Sequence, residues 1–480
     1  MVKRFIFIIL VLIIGFLCGI LFFNFFIADV MFDISSGVPL AIESKISFSY
    51  PDLVFSDKSN TRNNKQKERE IKIIPFFEGI KNEIISQKAT ASFLEINFPE
   101  MKTRIWQEGE LKKEVEILAR GDPQEWGGTA AGLYNIISKY KIAFSAISEV
   151  YMPYAMNFYG KYYLHGIPYY EEGNKRFENI TGGCVQLSDN DSETIFNLTE
   201  KGIPVLVIDK YQDVYQPYFK NDISEFPAVS AQSYLVADLD SGFVLSEKNI
   251  EGKRPIASLT KLMTAVVVSE NIDLRRSVEI TQEMLKPFGT TTGLVAGKTF
   301  KVVDLFYPML IESSNDAAEA VSNFLGKEKT IRLMSEKAKS ILMQDTSFVD
   351  PHGLDADNIS TPKDLFYLAR YITNNRPPIW EITKNEQVNS YGEITFKGLL
   401  NKNLFSTDTD FIGGKTGYIT ASRYNGMFLF EFLDKNNIKR KIVIILLGSK
   451  NWLLDSDSLK EDADQVIEWL KTNFFNNENN

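Results

Sequence analysis

The hydrophobic pattern of this chain changes period once, near residue 229, and one sheet or one bundle cannot bury both halves. Between Phe93 and Asp209 apolar residues come in short runs: FLEINF, RIW, EVEIL, LYNII, KIAFSAI, KYYLHG and PVLVID. Turn formers separate the runs, among them Glu108-Gly109, Gly121-Asp122-Pro123 and Trp126-Gly127-Gly128-Thr129. Such punctuation predicts a β-rich domain over 90–210, with one helix around Asp191 to Lys201 stopped by Gly202. From Val229 two strand candidates, SYLVADL and GFVLSEK, give way to helical patterns at Ser258–Asn271, Val302–Leu325, Glu328–Met343 and Thr361–Asn374. Strands EITFKGL, NGMFLFEFL and KIVIILLGS and a helix at Lys460–Phe474 close the chain. Strands at both ends with helices between predict an α+β domain over 229–475 whose terminal strands share one sheet. The aromatic but irregular stretch 211–228 reads as a linker.

Ahead of both lies Phe5 to Ala28, which has no charge and a single amide, Asn24. As a helix it would extend ~36 Å at ~1.5 Å per residue, enough for a hydrocarbon core of ~30 Å. Lys3 and Arg4 precede it, and Phe25-Phe26-Ile27 runs into Ala28-Asp29 without a small-residue cleavage site. Residues 1–28 are therefore expected to be a retained transmembrane helix, single-pass in the cell membrane, with the rest of the chain on the extracytoplasmic side. Cys18 falls within it as a lipid-facing residue. Residues 29–89 are expected to be a juxtamembrane tether, with the polar run SDKSNTRNNKQKERE from Ser56 to Glu70 and a short helix within Phe76–Lys88.

Composition narrows the chemistry. Two cysteines and two histidines can build neither a disulfide framework nor a multi-ligand zinc site, so no metal or other cofactor is expected. Fifty-three Lys and Arg against 62 Asp and Glu give a net charge of −9 with no long basic block, and nucleic acid is not an expected partner. Any cysteine or histidine chemistry must then involve Cys18, Cys184, His165 or His352.

Ser258-Leu259-Thr260-Lys261 opens a predicted helix and sets a hydroxyl and an amine at i and i+3 on one face. Ser-x-x-Lys recurs at Ser138 and Ser360, and Ser-x-Asn at Ser188, Ser269, Ser313 and Ser449, so neither pattern decides alone. Only Ser258…Lys261, Ser313…Asn315 in a loop after PMLIE, and Lys415-Thr416-Gly417 on a strand entered through Gly413-Gly414 combine three elements. Through RPIASLTKLMTA, LIESSNDAAEAV, FVDPHGLD and GGKTGYI this half resembles the serine D,D-carboxypeptidases among the low-molecular-mass penicillin-binding proteins. The resemblance implies a penicillin-binding/β-lactamase-like serine transpeptidase fold, Ser258 as acyl nucleophile and Lys261 as its base. It implies Ser313 and Asn315 as proton relay and substrate guide, Lys415, Thr416 and Gly417 as the carboxylate-binding strand, and the amides of Ser258 and Tyr418 as the oxyanion hole. A lysine serves as base only with a lowered pKa, which burial and a second cation such as Lys415 supply. His352, in Pro351-His352-Gly353-Leu354, reads as a turn residue holding its loop. The segment Lys450 to Lys460 lacks the arginine that relatives often carry there, leaving Lys450 or Lys460 as its replacement.

Cys184 lies in Thr181-Gly182-Gly183-Cys184-Val185-Gln186-Leu187, nineteen residues after His165-Gly166. A small buried hydrophobe is one reading. The other is a nucleophile whose thiol pKa a neighbouring imidazolium lowers from ~8.5. With WGGTAAGLY, YMPYAMNFYGKYYLHG, TGGCVQL and GIPVLVID, this half resembles the catalytic domain of the L,D-transpeptidases. The resemblance implies Cys184 as nucleophile, His165 as base, the Gly166 carbonyl orienting the imidazole, and the Gly183 and Cys184 amides near the oxyanion. Gly182 and Gln186 depart from it, standing where a polar residue and an arginine are usual.

Together the two resemblances imply a peptidoglycan-remodelling enzyme whose partners are stem peptides, with β-lactams as inhibitors. The serine site would remove the terminal D-Ala of a pentapeptide, and the cysteine site would build 3,3 cross-links from the tetrapeptide left behind. Two hydrolytic sites are the alternative within catalysis; a β-lactam or wall-fragment sensor is the alternative outside it, disfavoured because only Met1 to Arg4 precede the expected anchor. Turnover at either site is expected to be unchanged by a chelator such as EDTA, and loss of activity on chelation would expose a metal requirement that this inventory does not foresee.

Overall fold

The computed structural model describes residues 72–86, 92–177, 179–215, 223–289, 294–386, 396, 398–450 and 458–475, which lie in one structural unit, Lys65–Asn480. The expected anchor at 1–28, most of the expected tether and most of the EITFKGL strand fall outside the described residues. Among the described residues no helix is long and apolar enough to cross a membrane.

The short runs of the first half pair into two sheets. The first contains β1 (Phe93–Asn97), β2 (Lys102–Gln107), β3 (Glu110–Glu116), β4 (Gly132–Asn135) and β9 (Pro204–Ile208) in the order β3-β2-β1-β9-β4. Only the β1–β9 pairing is parallel in this sheet. The second contains β5 (Ser138–Ser145), β6 (Val150–Tyr159), β7 (Tyr162–His165) and β8 (Val185–Gln186) in the order β8-β7-β6-β5. Its β8–β7 pairing is parallel and sets Val185 opposite Leu164 and Gln186 opposite His165. That register carries the cysteine box alongside the histidine strand. One helix, α2 (Asp189–Leu198), starts two residues earlier than expected because the Ser188 side chain accepts from the Asp191 amide as an N-cap. It also ends before Gly202, with Thr199 already extended.

In the second half, β10 (Ser233–Asp238) and β11 (Val244–Lys248) join β12 (Phe411–Ile419), β13 (Arg423–Leu433) and β14 (Lys439–Ser449) in one antiparallel sheet, ordered β11-β10-β14-β13-β12. The terminal strands do share a sheet. Helix α9 (Ser458–Asn473) covers one face of it, packing Leu459, Val466, Trp469 and Leu470 against Phe428, Phe430, Ile442 and Ile444. Helix α3 (Thr260–Asn271) is buried along almost its whole length, as an all-round apolar sequence requires. The pattern over Val302–Leu325 is two helices, α4 (Val302–Ile311) and α5 (Asn315–Leu325). The break falls at Glu312–Ser314, where Ser313 takes φ 62° and Ser314 caps α5 by accepting from the Ala317 amide. Then follow α6 (Lys327–Ser340), α7 (Pro362–Asn375) and a short α8 (Pro378–Thr383) that the sequence pattern did not reveal.

Within the stretch read as tether, α1 (Phe77–Ser86) is ordered and touches both halves. Lys81 pairs with Glu95 of β1 at 2.9 Å, while the Pro75 carbonyl accepts from Arg370 of α7 at 3.1 Å and the Ile74 amide donates to Gly242 at 2.9 Å.

The halves meet at a buried charge cluster. Glu270, near the end of α3, lies 2.9 Å from Arg376 and 3.0 Å from Lys337, all three without exposure. Lys337 also donates to the hydroxyls of Tyr371 at 2.6 Å and Tyr134 at 2.8 Å, and Arg376 donates to the Tyr162 hydroxyl at 2.6 Å. Tyr134 and Tyr162 belong to the first half. Removing one partner strands the others in a dry interior, so Arg376→Met is expected to lower the unfolding free energy by about 3 kcal/mol in a denaturant titration. A loss no larger than that of a surface arginine would show the cluster to be energetically idle.

Candidate active sites

The turn before α3 is built under strain. Ala257 takes φ 49°, a left-handed conformation that costs an alanine about 1–2 kcal/mol, and Ser258 follows it in a single 3₁₀ turn, Ala257–Leu259. Lys261, the second residue of α3, is fully buried and its Nζ lies 2.7 Å from each of three oxygens: Ser258 Oγ, Asn315 Oδ1 and the main-chain oxygen of His352. Burial, then the charge of Lys415, hold the Lys261 amine well below the usual lysine range. Lys415 on β12 is also fully buried and donates to Ser313 Oγ at 2.9 Å; burial, then Lys402, bring its amine down to about 7.

Thus Ser258, Lys261, Ser313, Asn315 and Lys415 converge from α3, the α4–α5 break and β12. Asn315 is placed by its Nδ2, which donates to the Phe288 carbonyl. The Thr416 hydroxyl donates to the Lys402 carbonyl at 3.0 Å, and Tyr418 stands half-exposed at the rim, its ring 4.5 Å from that of Tyr424. At Gly417 an added Cβ would sit 2.7 Å from the Ser258 amide nitrogen, so only glycine lets β12 run this close to the nucleophile turn. His352 does hold its loop: its Nδ1 lies 3.1 Å from Asp350 Oδ1 and accepts from the Leu354 amide at 3.3 Å. The sequence did not disclose that its carbonyl anchors Lys261, nor the roles of Phe288 and Lys402. Lys460 pairs with Asp464 at 2.6 Å, engaged within α9.

The second centre lies in a cleft of about 690 Å³ lined by Cys184, His165, Gln186, Lys161 and Trp126, and by Asp273 and Arg275 of the other half. The parallel β7–β8 register explains why Cys184 and His165 share it. His165 is buried and its Nδ1 contacts the Gly166 carbonyl at 2.6 Å, which requires the proton on Nδ1 and leaves Nε2 as the basic nitrogen. The Cys184 thiol donates to the Lys161 carbonyl at 3.8 Å, and no hydrogen bond links it directly to the imidazole. Thr181 Oγ1 accepts from the Gly183 amide at 3.1 Å and donates to the Cys184 carbonyl at 2.6 Å, fixing the loop. Gly183 takes φ 119°, and a Cβ there would lie 2.3 Å from the Tyr162 ring.

The expected thiolate is corrected here. Burial pushes the Cys184 thiol up to about 11, against smaller opposing effects of the Tyr163 backbone hydrogen bond and of Lys161. Burial also brings His165 down to about 4, so the imidazole is neutral and offers no cation to the sulfur. The pair is a neutral thiol beside a neutral base.

Comparison with known proteins bears on both centres. Residues 220–444 match the D-alanyl-D-alanine carboxypeptidase family, and residues 91–207 match the L,D-transpeptidase catalytic domain. A D-alanyl-D-alanine endopeptidase of Haemophilus influenzae is 35% identical over 212 residues, 43% of this chain and 72% of the relative. The D-alanyl-D-alanine carboxypeptidase DacD of Salmonella typhimurium is 27% identical over 269 residues, 52% of this chain and 64% of the relative. A solved D-alanyl-D-alanine carboxypeptidase of Mycobacterium tuberculosis matches at 26% identity and a TM-score of 0.46, over 54% of this chain and 95% of that one.

A base toward the Ser258 hydroxyl must be neutral, and after burial the Lys415 charge is what lowers the proton affinity of Lys261. Lys415→Met is therefore expected to move the acidic limb of the pH–rate profile for β-lactam acylation to higher pH, because Lys261 then gains a proton more readily. Lys415→Arg should leave that limb in place. An unmoved limb in Lys415→Met would show that the two amines do not interact.

Proposed function

The chain belongs to the D-alanyl-D-alanine carboxypeptidase family, and from that membership we propose that it is a membrane-attached, extracytoplasmic enzyme that trims peptidoglycan stems at Ser258 and joins them at Cys184. The observation that carries the reading is the Lys261 amine, buried, deprotonation-prone and 2.7 Å from the Ser258 hydroxyl. Lys261 takes the hydroxyl proton as Ser258 Oγ attacks the carbonyl of the penultimate D-Ala. The Ser258 and Tyr418 amides receive the oxyanion, Ser313 passes a proton to the departing D-Ala nitrogen, and Lys415 with Thr416 holds the terminal carboxylate. Water then releases the tetrapeptide.

At Cys184, His165 Nε2 accepts the thiol proton as sulfur attacks the L,D bond of that tetrapeptide. The imidazolium returns the proton to the leaving D-Ala, and an amine of a second stem resolves the thioester to a 3,3 cross-link. The presence of the L,D-transpeptidase catalytic domain beside the serine domain supports this order, since the first product is the second substrate. Hydrolysis of the thioester uses the same residues with water as acceptor. The Haemophilus relative favours a second reading of the serine site, as an endopeptidase cutting existing D-Ala cross-links.

Muropeptide analysis of the full chain with pentapeptide-containing wall material and with cross-linked dimers separates these. Ser258→Ala is expected to reduce D-Ala release from pentapeptide at least about 10³-fold, and Cys184→Ala to abolish 3,3 dimers while leaving that release intact. Release that survives Ser258→Ala removes the serine assignment; dimers that survive Cys184→Ala remove the cysteine assignment.

A further inference from the structure

Lys161 stands between the cysteine centre and the C-terminal end of α3. Its main-chain oxygen accepts the Cys184 thiol at 3.8 Å. Its side chain lines the same cleft as Cys184, and the ammonium donates to the main-chain oxygens of Ser269 at 3.1 Å and Ile272 at 3.4 Å, at the C-terminal end of α3. Those carbonyls form the negative end of the helix dipole, a natural seat for a buried cation. The same residue faces the cleft that Asp273 and Arg275 of the serine half help to wall, so the cysteine centre is completed by the second domain.

We propose that Lys161 is a positioning residue for the reaction at Cys184: anchored on the end of α3, it orients the thiol through its carbonyl and keeps a cation beside the sulfur that favours the thiolate. The proposal rests on the reading of Cys184 as a nucleophile. The charged groups around the amine set its working range. Burial, then Arg376, draw the Lys161 amine down to about 8, while Glu270 and Asp273 oppose that and Tyr162 lies beneath it. His165 is neutral, and the cleft's arginines are engaged, Arg275 with Asp273 at 2.7 Å and Arg176 with the Ser148 carbonyl at 3.2 Å; Lys161 is the cation whose charge lowers the Cys184 pKa. Its influence fades as pH rises through about 8.

The test is the rate at which iodoacetamide alkylates Cys184 in the full chain, read by the mass of the Cys184 peptide and followed from about pH 6 to 10. Lys161→Met is expected to react about threefold more slowly near pH 7. One pKa unit removes about nine-tenths of the thiolate, and the higher nucleophilicity of the more basic sulfur recovers about half of that logarithm. The gap should close above about pH 9, where the wild-type amine is itself uncharged; Lys161→Arg should keep the wild-type rate near pH 7. Equal rates near pH 7, or a ratio constant across the range, would overturn the proposal, with thermal melts of each variant as the control for folding. The wild-type chain gives an independent reading that needs no variant. Its log rate should rise with a slope below one around pH 8, and an unbroken unit slope up to the thiol's own pKa also overturns the idea. Alkylation reads the thiol rather than turnover. Absence of 3,3 dimers alongside the expected alkylation pattern would thus count against the proposed function and not against the role of Lys161.

Discussion

A carboxylate with no access to water, Glu270, decides how the two halves of the chain meet. An isolated ion in such a place would cost more than the whole margin of a folded domain. Two cations, Lys337 and Arg376, and the Tyr371 hydroxyl compensate it, yet this leaves the serine half with more buried donors than acceptors. The first half supplies what is missing through the hydroxyls of Tyr134 and Tyr162. Even so, burial brings Lys337 down to about 7, a sign that the cluster balances its charge narrowly. Docking of the halves is therefore part of solvating this interior, and Tyr162, packed under Gly183, carries the consequence to the cysteine loop.

Burial has opposite effects on the amine and imidazole of these sites and on the thiol. For a cationic acid it favours loss of the proton, so exclusion of water holds the Lys261 amine well below the usual lysine range and leaves His165 a neutral base. For a thiol it disfavours the anion, and Cys184 stays protonated. At the proposed serine centre the Lys261 amine and the Ser258 hydroxyl are already bonded at 2.7 Å. The cysteine centre holds two uncharged partners and develops charge only as the bond to substrate forms. A site of this kind resists oxidation and adventitious alkylation, because the reactive thiolate is scarce without substrate.

Local chemistry was legible in the sequence where spacing alone sets geometry. Ser258 and Lys261 are one helical turn apart, so their contact follows from i and i+3 once a helix is granted. The strands of the first half followed from their runs and turns, and the shared terminal sheet of the second half from its order of elements. Legibility stopped where main-chain atoms or distant partners do the work. No pattern marks the carbonyls of His352 and Phe288 as anchors for Lys261 and Asn315, because every residue has a carbonyl. Arg376 and Tyr162 lie 214 positions apart in the chain, and nothing local announces their bond. The direction of the Cys184 shift was misjudged for a related reason: the residue type His suggests a cation, whereas its charge depends on how dry its surroundings are.

Helix α3 links these observations, since Ser258 precedes its first turn and its last carbonyls hold Lys161. Twelve residues at about 1.5 Å each make a rod of about 18 Å, buried on nearly every side and unable to flex without breaking the core. The rod fixes the span between the two chemistries in a way that a flexible linker does not. In the proposed order of reactions the tetrapeptide freed at one end stays covalently attached to its glycan strand. It therefore remains at a local concentration in the millimolar range for the other end, where free peptide would diffuse away. Under that proposal the benefit exists only for polymeric substrate, which favours the wall itself over soluble precursors as the proposed substrate.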